Sequence, residues 1–154
     1  MDMKPYTAAQ ERLGSVVIRL MSSANVWLYR LTSGWVGGRF LGGAPVLLLT
    51  TLGRRSGEPR TAPLLYLEDG RDLVVVASKG GMSQHPLWYR NLEVHPEVEV
   101  ELGAERRRMT ARTADRDERA RLWPRLVAMY PGYDAYQART TREIPVVILS
   151  PRTG

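Results

Sequence analysis

The 154-residue chain contains no cysteine, which excludes disulfides, thiolate metal sites and a cysteine nucleophile and fits a reducing compartment. It has two histidines, His85 and His95, each beside a proline at an expected helix end. With no Gly-x-Ser-x-Gly elbow, nucleophilic hydrolysis lacks its machinery, and a metal site lacks the three or four ligands it needs. Gly-x-Gly-x-x-Gly and Walker patterns are also absent. The glycines at 34, 37, 38, 42 and 43 follow a helical pattern instead of a strand, so they read as a linker and not as a nucleotide loop. No apolar run approaches the length that spans a bilayer, and the opening MDMKPYTAAQERLG lacks the basic region and apolar core of a secretion signal. The expected location is cytoplasmic.

What is present fits one domain over 1–154, with 44% hydrophobic and 25% charged residues, in which 1–43 form an N-terminal helix and a glycine-rich linker. From Tyr6 to about Leu31, apolar residues at Leu13, Val17, Leu20, Ala24, Trp27, Leu28 and Leu31 keep the three-and-four spacing of an amphipathic helix. Most of that stripe is expected to pack on the rest of the domain. Its aromatic end, Trp27, Tyr29 and Trp35, with Arg12, Arg19 and Arg30 nearby, suits an anionic membrane surface. Residues before Tyr6 have no apolar pattern and are expected to be mobile.

The net charge of +6 and the run ERRRMTAR at 105–112 raise the question of nucleic acid. The preceding strand answers it. A two-residue turn at Gly103-Ala104 sets Glu101 opposite Arg106 and Glu99 opposite Arg108, so those arginines have partners, and no aromatic residue interleaves with them. Other strands are expected at about 45–52, 60–68 and 72–79 as a meander with Asp69-Gly70 turning the last pair, and at Ile144 to Ser150. Pro63 places an exposed edge or a bulge in the second strand. Ser83 is expected to cap a short helix running through Trp88 and Asn91 to about Val94, with Pro86 tolerated in its first turn. Asp115 and Glu118 form a capping box for a helix that Pro124 interrupts or kinks, and a further helix covers Tyr133 to Arg139. The result is an α+β chain with about six strands.

The most informative stretch runs from Pro45 to Asn91. A strand ends at about Leu52, and Gly53 and Gly57 then let the backbone turn with positive φ beside Arg54, Arg55 and Ser56. Two adjacent arginines repel unless an anion sits between them. Arg60 on the outgoing strand, Lys79 at the end of the next one and Asn91 add donors, so the segment reads as an anion-binding pocket. An isolated turn of this kind is more often a solvated hairpin tip; its company changes that reading.

These pieces resemble the deazaflavin-dependent nitroreductase and quinone reductase family of actinobacteria, whose members use the reduced deazaflavin coenzyme F-420. The matching segments are TTLGRRSGEPR at 50–60, the PLLY and Asp69-Gly70 that follow, ASKGG at 77–81, PLWYRNL at 86–92, HPEVEV at 95–100 and WPRLVAMYPGYDAYQ at 123–137. The resemblance implies a split β-barrel. It implies a coenzyme held by Arg54, Arg55, Ser56, Arg60, Thr61, Ala62, Pro63, Leu64, Leu65, Val76, Ala77, Ser78, Lys79, Leu87, Trp88, Tyr89, Arg90, Asn91 and Tyr133. It places the ring near Ser78 and sets Tyr130, Tyr133 and Tyr136 around the acceptor; from spacing alone those tyrosines would read as a core-filling helix side.

The implied reaction passes a hydride from the reduced coenzyme to a quinone-like acceptor, with menaquinone and nitro-aromatics as candidates. The family's nitro-drug-activating members have a tyrosine where this chain has Leu65, which bears on nitroimidazole reduction. An FMN-binding split-barrel oxidoreductase and a non-catalytic carrier of deazaflavin or lipid are the alternatives.

Overall fold

The computed structural model describes residues 4–35, 38 and 43–152, with side chains undescribed at 18–22. The expectation of mobility at the N-terminus falls partly outside the described residues, as does most of the glycine-rich connection.

Helix α1 (Ala8–Leu31) opens on a reciprocal cap in which Thr7 Oγ1 accepts from the Gln10 N–H and Gln10 Oε1 accepts from the Thr7 N–H. There follow β1 (Val46–Leu52), β2 (Pro59–Leu65), β3 (Leu67–Asp69), β4 (Asp72–Val76), a 3-10 turn over Lys79–Gly81, α2 (Leu87–Val94), β5 (Glu97–Leu102), β6 (Glu105–Thr113), α3 (Arg116–Met129), α4 (Gly132–Arg139) and β7 (Val146–Pro151).

The strands form one antiparallel sheet in the order β2-β1-β5-β6-β7-β4-β3. The two end strands, β2 and β3, are consecutive in the chain and separated only by Tyr66. A one-residue link between opposite edges requires the sheet to curl until those edges meet, which makes it a curled half-barrel. The expected meander is therefore corrected: β2 and β4 are not hydrogen-bonded neighbours, and the single strand expected over 60–68 is two strands broken at Tyr66. The Asp69-Gly70 hairpin stands, with Asp69 opposite Asp72. So does the arginine hairpin, with Glu101 opposite Arg106 and Glu99 opposite Arg108. Pro63 lies on an edge strand, where its missing N–H costs no ladder bond.

Alternation along the strands divides the apolar residues into an inside and an outside. Leu47, Leu49, Val75, Val98, Val100, Met109, Val147 and Leu149 fill the barrel, and Trp88, Tyr89 and Leu92 of α2 join them. The opposite face of β4 and β7, with Val74, Val76, Val146 and Ile148, is covered by Leu122 and Leu126 of α3 and Tyr133 of α4. Helix α3 continues through Pro124 without interruption, and the Asp115 cap box is present as expected. Pro86, not Ser83, precedes the first turn of α2; the Ser83 N–H and hydroxyl both donate to Glu11 instead.

Helix α1 departs most from expectation. Its anchor is Tyr29, only 2% exposed. The Tyr29 hydroxyl lies 3.2 Å from the Val46 carbonyl and 3.3 Å from the Glu101 carbonyl, and it accepts from the Gly103 N–H at 2.7 Å. Arg30 pairs with Glu101 at 2.9 Å. The described members of the apolar stripe face outward, with Leu13 68%, Trp27 63% and Leu31 66% exposed. Packing of most of that stripe on the barrel is thus not observed, because Val26 and Tyr29 supply the contact from a different face.

Candidate active site

The cationic turn folds as a closed loop: the Gly53 N–H donates to Glu58 O at 2.8 Å and the Gly57 N–H to Gly53 O at 2.8 Å. Gly57 has the expected positive φ, 69°, but Gly53 does not. A Cβ on Gly53 would sit 2.6 Å from Ser56 Oγ, so a larger residue there would push that hydroxyl aside. Ser56 Oγ accepts from the Glu58 N–H at 3.2 Å, and Arg60 pairs with Glu58 at 3.2 Å. Arg54 and Arg55 form no ion pair among the described residues.

Asn91 ties this turn to α2. Its side chain is 6% exposed; Oδ1 accepts from the Arg54 N–H at 3.0 Å and Nδ2 donates to Thr51 Oγ1 at 3.2 Å. Asn91 thus works on the turn's backbone. Its helix neighbours Trp88 and Tyr89 are buried in the barrel, where the Tyr89 hydroxyl shares a 2.8 Å bond with Thr113, while Leu87 points outward.

The second element is the loop after β4. Val76 and Ala77 are buried, and Ser78 leads into three consecutive left-handed residues, Lys79 (φ 44°), Gly80 (62°) and Gly81 (80°). A Cβ on Gly81 would lie 2.6 Å from the Tyr136 carbonyl oxygen, so only glycine lets α4 seat on this loop. Above it stand the three tyrosines. Tyr130 and Tyr133 rings meet edge to face at 5.0 Å, and the Tyr130 and Tyr136 hydroxyls share a 2.9 Å hydrogen bond. Burial pushes the Tyr133 phenol well above its ordinary range, helped by the neighbouring tyrosines. Tyr136 rises for the same first reason and through its bond to Tyr130. Both stay protonated at neutral pH. Leu65 and Val76 pack in this cluster.

The structure therefore gathers Leu65, Val76, Tyr130, Tyr133 and Tyr136, with the Ser78–Gly81 loop against α4, and it links Arg54 to Asn91. It does not bring the Thr61 side chain there. Thr61 lies on the opposite face of β2 from Ala62 and Leu64, bonded to Thr50 at 2.8 Å and to Arg30 at 3.3 Å. It lines an open cleft of about 490 Å³ with Arg106 and Arg108, away from the tyrosines. Several of its charges pair within it, such as Arg152 with Glu97 at 3.0 Å and Arg106 with Glu99 at 3.6 Å, while Arg108 forms no ion pair among the described residues.

The sequence pattern of the F420H(2)-dependent quinone reductase family matches residues 21–151. The chain belongs to that family. It is 46% identical over 117 residues to a putative F420H(2)-dependent quinone reductase of Mycobacterium tuberculosis H37Rv, covering 76% of this chain and 98% of the relative. A second relative of the same strain, an F420H(2)-dependent quinone reductase, is 39% identical over 146 residues, covering 93% and 95%. Among solved structures, an F420-H2 dependent reductase superposes with a TM-score of 0.64 at 41% identity over 69% of this chain and 94% of its own. The heme storage protein HutZ of Vibrio cholerae superposes at 0.54 with 18% identity over 71% of this chain and 82% of its own, a likeness of fold that places the half-barrel among split barrels.

One polar residue of this family member escaped sequence reasoning. Arg142, in the segment before β7, sends its guanidinium beneath the Ser78 loop and donates to three of its carbonyls. Its partners lie 57 to 65 residues away in the chain, so no local pattern marks it.

Proposed function

We propose that the chain transfers a hydride from the reduced deazaflavin coenzyme to a quinone-like acceptor seated among Tyr130, Tyr133 and Tyr136. The observation that carries this reading is the pairing of a buried, protonated tyrosine cluster with a left-handed, lysine-bearing loop packed against the same helix. Family membership supports it. The donor set also fits the coenzyme: its phosphate and oligoglutamate end needs cations without carboxylate partners, and Arg54 and Arg55 meet that description among the described residues.

When bound, the coenzyme supplies the hydride; the chain binds, orients and shields it. Arg54, Arg55 and Lys79 hold anionic groups, and Asn91 fixes the turn that presents two of them. The Ser78 hydroxyl meets the polar edge of the ring or of the acceptor. The Tyr133 phenol, kept protonated by burial, donates a hydrogen bond to the acceptor's carbonyl oxygen as negative charge develops there. Leu65, which carries no hydroxyl, favours quinones over nitro-aromatics, and lipid quinones such as menaquinone suit the apolar wall it forms with Val76.

A lipid acceptor also gives the exposed stripe of α1 a use. Leu13, Val17, Trp27 and Leu31 present apolar surface to solvent on a chain of net charge +6, as a peripheral helix on an anionic bilayer would. No helix among the described residues is long and apolar enough to cross a membrane, so the contact would be interfacial.

The test is titration of the protein with reduced and oxidised deazaflavin and with FMN, then quinone reduction in detergent and in anionic liposomes. Arg55→Ala and Lys79→Ala should each weaken deazaflavin binding by about 1 to 3 kcal/mol and lessen its salt dependence. Unaltered affinity in both variants, or tighter binding of FMN than of deazaflavin, would defeat the reading. Failure of the wild type to sediment with liposomes would remove the membrane part alone.

A further inference from the structure

Arg142 sits where no acidic partner explains it. It is half-buried and forms no salt bridge among the described residues, yet its donors are almost fully used. Nε donates to Met82 O at 2.8 Å, Nη1 to Ala77 O at 3.2 Å, and Nη2 to Ser78 O at 2.7 Å. Nη1 also lies 3.0 Å from His85 Nδ1, which must accept there, fixing the imidazole as the neutral tautomer with its proton on Nε2. One planar fork thus holds carbonyls on both sides of the left-handed Lys79–Gly81 turn.

That turn requires such a hold. Lys79 at φ 44° is a non-glycine residue in a region that L side chains rarely adopt, and such conformations persist only where the surroundings overdetermine them. The other constraints on the loop come from different elements: α4 abuts Gly81, and Glu11 of α1 receives the Ser83 N–H at 2.7 Å. Arg142 differs from these in charge. It sets a cation under the carbonyls of Ala77 and Ser78, with its positive charge offset by carbonyl dipoles and by no carboxylate in contact. Burial pushes the guanidinium below its ordinary range, and Glu11 acts against that shift from a distance. A second set of bonds fastens Arg142 itself: its carbonyl accepts from Gln137 Nε2 at 2.8 Å, and Gln137 Oε1 accepts from the Ile144 N–H at 2.9 Å. Gln137 is on α4, the helix that carries Tyr133 and Tyr136.

We infer that Arg142 is a positioning residue for the coenzyme: it sets the Ser78–Lys79 loop in its left-handed form, holds positive charge beneath it, and locks that loop to the helix bearing the acceptor tyrosines. The inference rests on the proposed function, which assigns Ser78 and Lys79 to the coenzyme. A lysine cannot replace the guanidinium in full, because three donors on a tetrahedral nitrogen do not match carbonyls arranged around a plane.

The experiment compares wild type, Arg142→Met and Arg142→Lys by amide hydrogen exchange without coenzyme, by oxidised-deazaflavin titration, and by quinone kinetics. In Arg142→Met, exchange at Gly81 and Met82 should quicken about tenfold while the β5 and β6 amides stay protected. The deazaflavin Kd should rise about tenfold, with the quinone KM within about twofold of wild type. Arg142→Lys should recover part of both effects, to about threefold in each. Should Arg142→Met not fold, the lysine variant decides, since it keeps a cation in place. Wild-type loop exchange and wild-type Kd in a folded variant would overturn the assignment of Arg142 alone. Absence of deazaflavin binding by the wild type would instead overturn the proposed function, and with it this inference.

Discussion

Replacing Asn91 with alanine should loosen the cationic turn more than it damages the barrel. The amide makes two bonds, one from the Arg54 N–H at 3.0 Å and one to Thr51 Oγ1 at 3.2 Å, and its side chain fills little volume. Deleting it leaves a backbone donor at the turn and a hydroxyl on a fully buried threonine without partners. An unsatisfied buried polar group costs about 1 to 3 kcal/mol. Arg54 is only half-buried, so water takes over part of its loss, and a total near about 2 kcal/mol follows. For a chain of this size that corresponds to a fall in Tm of about 4 to 8 °C. The freed turn must then be reordered each time an anion binds, so the deazaflavin Kd should rise about tenfold, equivalent to about 1.4 kcal/mol.

Asn91→Asp separates the two consequences. A carboxylate oxygen still accepts from the Arg54 N–H, and the Thr51 hydroxyl can rotate to donate to it, so the fall in Tm should be smaller than for alanine. The added negative charge beside Arg54 and Arg55 competes with the coenzyme's anionic end, so affinity should fall at least as far as in the alanine variant. Calorimetry and thermal unfolding on the same samples read both quantities. An alanine variant with wild-type Tm and wild-type affinity would refute the claim that this amide holds the turn.

Gly81→Ala, at φ 80° with a Cβ 2.6 Å from the Tyr136 carbonyl oxygen, should cost about 1 to 3 kcal/mol in denaturant unfolding, whereas Gly70→Ala, with open space around it, should cost less. Tyr133→Phe should lower kcat by about tenfold or more while deazaflavin affinity persists, and equal turnover would reduce Tyr133 to packing. The Asp69 carboxyl is lowered from 3.8 to about 2 by hydrogen bonds from Arg121 and Arg125. A depressed carboxylate stabilises above its unfolded pKa and loses that contribution as pH falls toward the folded one. Stability should therefore drop between about pH 4 and pH 2, and Asp69→Asn should remove that part of the drop, worth about 1 kcal/mol after solvent screening of two exposed arginines.

Much of this molecule could be read locally. Glu101 and Arg106 face each other because a two-residue turn fixes register, and Asp115 caps α3 because the cap and its partner are three residues apart. What failed was non-local. The link at Tyr66 looks like the middle of one strand, and only closure of the whole sheet separates β2 from β3. The apolar stripe of α1 has the periodicity of a buried face, yet Tyr29 and Val26 make the contact, because a single phenol meeting carbonyls of β1 and β5 and an N–H of the β5–β6 turn outweighs the alignment of leucines. At the site, residue types announced the cationic turn, but the roles of Asn91 and Arg142 depend on carbonyls and N–H groups dozens of residues away.

The division between these two sets of residues has a physical basis. Hydride transfer asks for donor and acceptor held within a narrow range of distance and angle, and a misplacement of about 1 Å can cost on the order of a hundredfold in rate. Side chains on a flexible loop cannot meet that demand. Here the groups proposed to touch coenzyme and acceptor lie on a turn closed by Asn91, a left-handed loop gripped by Arg142, and a short helix that only Gly81 allows to approach. Asn91 and Arg142 spend their polar atoms inside the protein, on backbone groups and on the Thr51 and His85 side chains, leaving the cations of Arg54 and Arg55 and the phenol of Tyr133 for ligands. A substitution in a holding residue should therefore act on affinity and geometry together, and one in a touching residue on a single step, so the ratio of the two effects distinguishes the classes without a bound structure.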